Sequence, residues 1–121
     1  MMKTAMVVED EDNLRRYYSV VLERLGFNVL TAEDGDIALK LMEGNPAVDL
    51  VILDLKMKRL GGKDAYPRLK AIKPALKVIV SSAYVHDKDE EELMRLGVDA
   101  VLKKPFRMLT FKETICRVTE A

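Results

Sequence analysis

Leu50-Val51-Ile52-Leu53-Asp54 is a short unbroken apolar run that closes on a carboxylate. Successive apolar residues leave no polar face, which is the pattern of a strand covered on both sides. Lys77-Val78-Ile79-Val80 repeats that pattern and leads into Ser81-Ser82. Thr4 to Val8, Asn28 to Thr31 and Ala100 to Leu102 read as three further strands. Amphipathic stretches separate the five, and strands alternating with helical patterns imply βαβ units around a parallel sheet. The expected fold class is a three-layer α/β sandwich: a five-stranded parallel sheet with helices on both faces.

The helices follow from spacing and punctuation. Leu14, Tyr17, Tyr18, Val21, Leu22 and Leu25 recur at three and four residues and Gly26 supplies a stop, which predicts one helix with a buried stripe. Asp34 is placed to cap a second helix carrying Ile37, Ala38, Leu41 and Met42, ending near Gly44 before Pro46. A third helix is expected from about Lys63 to Ile72, with an irregular or delayed start because Pro67 lacks an N–H. Asp87 to Leu96 forms a fourth, acidic at its N-terminal turn and closed by Gly97, and Met108 to Val118 a fifth.

The chain has 121 residues, 49% of them hydrophobic, which suits one domain over residues 1–121 with a real core. Twenty basic side chains balance twenty acidic ones, so no global field would hold nucleic acid or an anionic membrane, and charge chemistry has to be local. The single cysteine, Cys116, cannot pair within the chain and is expected to be a buried structural thiol. No apolar run is long enough for a membrane span and Met1 to Thr4 lacks a secretory stretch, so membrane insertion is not expected and a cytoplasmic location is.

In open parallel sheets, reactive groups gather beyond the carboxyl ends of the strands. Here the first strand ends in Glu9-Asp10-Glu11-Asp12, the third in Asp54, the fourth in Ser81-Ser82 and the fifth in Lys103-Lys104-Pro105. Two carboxylates about 4 Å apart repel by roughly 4 kcal/mol at an effective dielectric near 20, so Glu9, Asp10 and Asp54 sharing a cleft call for a cation. All-oxygen ligands without His or Cys select a hard ion, and few carboxylates plus water and phosphate suit Mg²⁺. A carboxylate can take a phosphoryl group as an aspartyl phosphate, with Lys104 neutralising its oxygens and Ser82 donating a hydrogen bond.

The acidic cluster after Val7-Val8, Val51-Ile52-Leu53-Asp54-Leu55, Ser82-Ala83 and Lys104-Pro105-Phe106 resemble the receiver domains of response regulators, the phosphoacceptor modules of bacterial two-component systems, over nearly the whole chain. The resemblance implies a flavodoxin-like strand order of 2-1-3-4-5. It implies Asp54 as phosphoacceptor and metal ligand, Glu9 and Asp10 as metal-binding acids, and the backbone carbonyl of Lys56 as a further ligand. Ser82 and Lys104 would contact the phosphoryl group, and a cis peptide is expected at Lys104-Pro105. The implied partner is a sensor histidine kinase or phosphotransfer protein, and the implied role is signalling rather than enzymatic turnover. Leu60 to Tyr66 with Val80 to Tyr84 is also similar to receivers attached to hybrid sensor kinases.

Some positions depart from that pattern. Lys58 stands where proline is frequent, Ser82 replaces the usual threonine, and Val101 takes the place of an aromatic residue whose rotation accompanies activation. The Val101 change bears on how a signal leaves the site, and Tyr84 is the nearby aromatic expected to respond instead. The simpler readings make Asp12 a cap or dipole partner, Glu11 and Lys103 solvated charges and His86 an exposed loop or helix-start residue.

Rival functions are weaker. A flavin carrier's first loop has to cradle a phosphate, which Glu9, Asp10 and Glu11 would repel. A phosphatase of the haloacid dehalogenase type wants an acid two residues after the nucleophile, where Lys56 stands. The remaining alternative is a receiver-like module that binds partners regardless of phosphorylation. No helix-turn-helix follows the fifth helix, so direct DNA binding is not expected of a chain that is either a stand-alone receiver or a piece of a longer protein.

Overall fold

Alternation along the strands decides which layer each side chain joins. In the computed structural model, which describes residues 3–45, 47–55, 60–83 and 87–120, the strands are β1 (Thr4–Val8), β2 (Asn28–Ala32), β3 (Val48–Asp54), β4 (Lys77–Ser82) and β5 (Ala100–Lys103). The helices α1 (Asp12–Arg24), α2 (Gly35–Gly44), α3 (Gly62–Ile72), α4 (Asp87–Leu96) and α5 (Met108–Glu120) alternate with them. All pairings are parallel, in the order β2-β1-β3-β4-β5, as expected.

Ala5, Val7, Leu50, Ile52, Ile79, Ala100 and Leu102 form one face of the sheet and pack beneath Tyr18, Val21 and Leu22 of α1 and Phe111, Ile115 and Val118 of α5. Met6, Val8, Val51, Leu53, Val78 and Val80 form the other, under Ala38 and Met42 of α2, Ala65 and Leu69 of α3 and Leu93 of α4. β3 and β4 are apolar on both faces because both faces are covered.

Five expectations need adjustment. β2, β3, β4 and β5 each run one or more residues further than the apolar pattern, since ladder pairing continues through Ala32, Ser82 and Lys103 whatever their side chains. The third helix has no delayed start: α3 is continuous from Gly62, and Pro67 lies on its exposed side, where water can satisfy the Lys63 carbonyl left without an N–H. Tyr17, counted in the buried stripe of α1, is exposed, and Tyr18 one residue on faces inward. Cys116 is half-buried rather than buried, because Ile115 and Val118 take the inward face of α5. The fifth helix continues past Val118 to Glu120.

Local signals for the other elements hold. The Asp34 carboxylate accepts from Ile37 N at 2.9 Å and caps α2. Gly26 and Gly97 take positive φ after α1 and α4. Gly62 opens α3 against β3 so closely that a Cβ there would run into the Asp54 carbonyl oxygen. This approach fixes the chain directly after Asp54.

Phe111 is fully buried among Tyr18, Phe106 and the β3–β5 side chains, whereas Leu109, two residues earlier, is 65% exposed. Phe111→Ala is expected to cost about 3–5 kcal/mol and Leu109→Ala less than about 0.5 kcal/mol in urea unfolding. Equal losses would contradict this packing.

Candidate phosphoacceptor and metal site

β1 and β3 are neighbours, with Val8 paired to Leu53, so the residues that follow them, Glu9-Asp10 and Asp54, emerge side by side at the carboxyl edge of the sheet. The carboxylates of Glu9, Asp10 and Asp54 each offer an oxygen within 4.8 Å of the other two. Glu9 is 2% exposed and Asp54 5%, while Asp10 is half-buried. Three acids this close in a poorly hydrated place repel strongly.

Part of the compensation is built in. Lys104, carried past the end of β5, donates from Nζ to Glu9 Oε1 at 2.6 Å and lies 3.8 Å from Asp54 Oδ1. Burial alone would lower its pKa, but the Glu9 hydrogen bond and the charges of Asp54 and Glu9 together hold it above the ordinary lysine value. One ammonium against three carboxylates leaves a negative deficit, and an all-oxygen donor set of this size fits a hard divalent cation.

The backbone holds the pieces in place. The Lys104-Pro105 peptide is cis, as expected, and Lys104 N donates to the Ser82 carbonyl at 3.0 Å, tying the β5 exit to β4. Ser82 is buried at the end of β4, one residue beyond Ser81, the rung partner of Asp54. Arg15 Nη1 donates to the Glu9 carbonyl at 2.9 Å, bracing the acidic turn from α1, and Arg15 also pairs with Asp12. Asp12 lies in the first turn of α1, the place of a dipole partner, while the cap position is taken by Glu11. Lys103 pairs at the surface with Glu90 at 3.2 Å, in line with a solvated role.

The predicted residues Glu9, Asp10, Asp54 and Lys104 are therefore brought together, and Ser82 ends the strand next to Asp54. The Lys56 carbonyl, with Lys58, Tyr84 and His86, lies outside the described residues. Two site neighbours escaped the sequence reading, Arg15 and Tyr18, and Ser81 was named at its strand end without a role. Tyr18 carried a signal, but its place in the α1 stripe made it pass for core packing. Its phenol is raised in pKa by burial, an effect that the Lys104 charge and neighbouring Ser81 partly offset.

Residues 5–115 match the family model of the response regulator receiver domain. The chain belongs to that family. Over 105 residues it is 31% identical to a cyclic di-GMP phosphodiesterase of Thermotoga maritima, covering 87% of this chain and 28% of that protein. It is 33% identical over 106 residues to the alkaline phosphatase synthesis transcriptional regulatory protein PhoP of Bacillus subtilis, covering 88% of this chain and 44% of PhoP. The receiver domain thus spans less than half the length of these curated relatives. Among solved structures, response regulator TrrA of Thermotoga maritima, in complex with Mg²⁺ and beryllium fluoride, is 32% identical with a TM-score of 0.83, covering 97% of this chain and 99% of that one.

Removing the Lys104 charge leaves Glu9 and Asp54 facing each other. Lys104→Met is expected to destabilise this receiver domain by about 2 kcal/mol at pH 7 without divalent metal, less than a fully buried pair because Lys104 is only partly enclosed. Since the folded pKa of Lys104 is raised, its contribution is fully present below the unfolded lysine value of about 10.4 and fades as pH rises through the folded one. Urea unfolding of both proteins from pH 7 to above pH 10 checks this: the gap stays constant and then narrows. A gap that widens in alkali would refute the pairing.

Proposed function

We propose that residues 1–121 act as one phosphoacceptor domain of a two-component phosphorelay, in which Asp54 takes a phosphoryl group with Mg²⁺ to switch partner interactions. The observation that carries this reading is the convergence of Glu9, Asp10 and Asp54 within 4.8 Å, with Lys104 already bridging toward two of them. The TrrA complex with Mg²⁺ and beryllium fluoride supports it from a protein of the same fold and family.

Glu9, Asp10 and Asp54 would hold the metal, together with the Lys56 carbonyl, and bound Mg²⁺ would supply positive charge to the phosphoryl oxygens. The chain's own residues account for the rest. An Asp54 carboxylate oxygen forms the bond to phosphorus as the donor's bond to phosphorus breaks, and the leaving group keeps that electron pair: an imidazole nitrogen of a phosphohistidine, or the carboxylate of acetyl phosphate. Lys104 turns from Glu9 toward a phosphoryl oxygen, and the Ser82 hydroxyl donates to another. Burial of Asp54 limits water's access before and after transfer.

The donor would be a sensor histidine kinase or a phosphotransfer protein, and the role signalling rather than turnover of a substrate. Direct nucleic-acid binding is not part of this reading. Among the described residues no helix is long and apolar enough to cross a membrane, and we place the domain in the cytoplasm with its donor.

One observation favours the alternative, a module whose binding ignores phosphorylation: Val101 packs against the α2–α3–α4 side of the core and offers no large ring to reorient. Partner affinity with and without phosphorylation separates the two. The phosphoacceptor reading itself is tested with acetyl phosphate and intact-mass measurement. Wild type gains one phosphoryl group only when Mg²⁺ is present, and Asp54→Asn gains none; labelling of Asp54→Asn at the wild-type rate would overturn it.

A further inference from the structure

Ser81 is the rung partner of Asp54 on the neighbouring strand, and by alternation both side chains belong to the α1–α5 face of the sheet. Apart from Asp54, the other buried strand residues of that face are Ala, Val, Leu and Ile. Ser81 is 1% exposed, and among the described residues its Oγ is the buried side-chain oxygen without a hydrogen bond. A buried hydroxyl left unpaired costs stability, and a small apolar side chain would avoid that cost.

Tyr18 of α1 packs on the same face, and Ser81 and Lys104 both act on its phenol. Tyr18 is 2% exposed, and its ring stacks on Phe106 at 5.7 Å and leans on Phe111 at 5.1 Å. Held by both rings, it has little freedom to swing its hydroxyl elsewhere. Phe106 follows Lys104-Pro105 directly, so the segment that carries the ammonium also clamps the phenol. Tyr18 and Lys104 line the same cavity of about 350 Å³, which leaves both side chains room to shift without moving the core.

Lys104 has three N–H donors. One goes to Glu9, and Asp54 Oδ1 at 3.8 Å is beyond hydrogen-bonding distance. A phenol oxygen can accept a second while its own O–H turns to Ser81, which would give the orphaned hydroxyl its partner.

We propose that Tyr18 is a positioning residue for Lys104, its phenol braced by Ser81 and drawing the ammonium away from Glu9 toward an incoming phosphoryl group on Asp54. The inference rests on the phosphoacceptor reading and adds to it two hydroxyls on the α1–α5 side of the site. Tyr18 does not touch the reacting atoms; it acts through Lys104.

The experiment measures labelling rates with acetyl phosphate at saturating Mg²⁺ for wild type, Tyr18→Phe, Ser81→Ala, Lys104→Met and Tyr18→Phe/Lys104→Met, alongside the Lys104 side-chain nitrogen resonance. Tyr18→Phe keeps the ring and its stacking, and is expected to slow labelling about three- to tenfold, the worth of one hydrogen bond, with a smaller loss in Ser81→Ala. On the Lys104→Met background the same change should have no further effect, and the Lys104 resonance should shift in Tyr18→Phe. Equal slowing on both backgrounds, or unchanged rate and resonance in Tyr18→Phe, would overturn the inference. Absence of labelling in wild type would instead remove the phosphoacceptor reading, and the Lys104 resonance would still decide whether the phenol holds the ammonium.

Discussion

Three carboxylates held within 4.8 Å of one another are the constraint around which this end of the domain is organised. Each pair at such a distance costs roughly 3–4 kcal/mol at an effective dielectric near 20, a sizeable part of the stability of a domain this size. Burial of Glu9 and Asp54 removes the water that would otherwise screen them. Such an arrangement persists in a folded protein only with positive charge nearby, and Lys104 supplies part of it. The deficit that remains is the ground on which we propose that the site takes a cation and, with the cation, a phosphoryl group.

The fold meets this constraint with backbone as much as with side chains. Parallel pairing of β1 with β3 aligns the exits of both strands, so the acids converge without any loop having to reach across. The Lys104 N–H on the Ser82 carbonyl and the Arg15 guanidinium on the Glu9 carbonyl fix the turns that present the ammonium and the acidic pair. Gly62 lets α3 begin in contact with the Asp54 backbone. The two apolar layers beneath hold the strand ends at fixed spacing, so core packing and site geometry are one problem.

Much of this was legible in the sequence because it depends on one-dimensional patterns. Unbroken apolar runs in β3 and β4 revealed a sheet covered on both faces, and charged or hydroxylic residues at four strand ends marked the edge where the acids and Lys104 converge. The order 2-1-3-4-5 came from resemblance, since periodicity says nothing about which strands are neighbours. Pro67 misled because a proline's cost depends on whether the stranded carbonyl faces water, a tertiary fact. Tyr18 was missed and Ser81 left without a role for a similar reason: a tyrosine in an apolar stripe looks like packing, and no one-dimensional pattern shows that the register puts Ser81 beside Asp54.

Titration of Mg²⁺ into the domain, followed by amide shifts, tests the central claim most directly, because it asks whether the acids form one charge-deficient site. Wild type should bind with shifts concentrated at residues 8–12 and 53–55. Asp10→Ala should weaken binding sharply through loss of an oxygen ligand, and Lys104→Met should tighten it by removing the competing ammonium. Equal affinity in Asp10→Ala and wild type, or shifts scattered away from the β1 and β3 exits, would contradict the account.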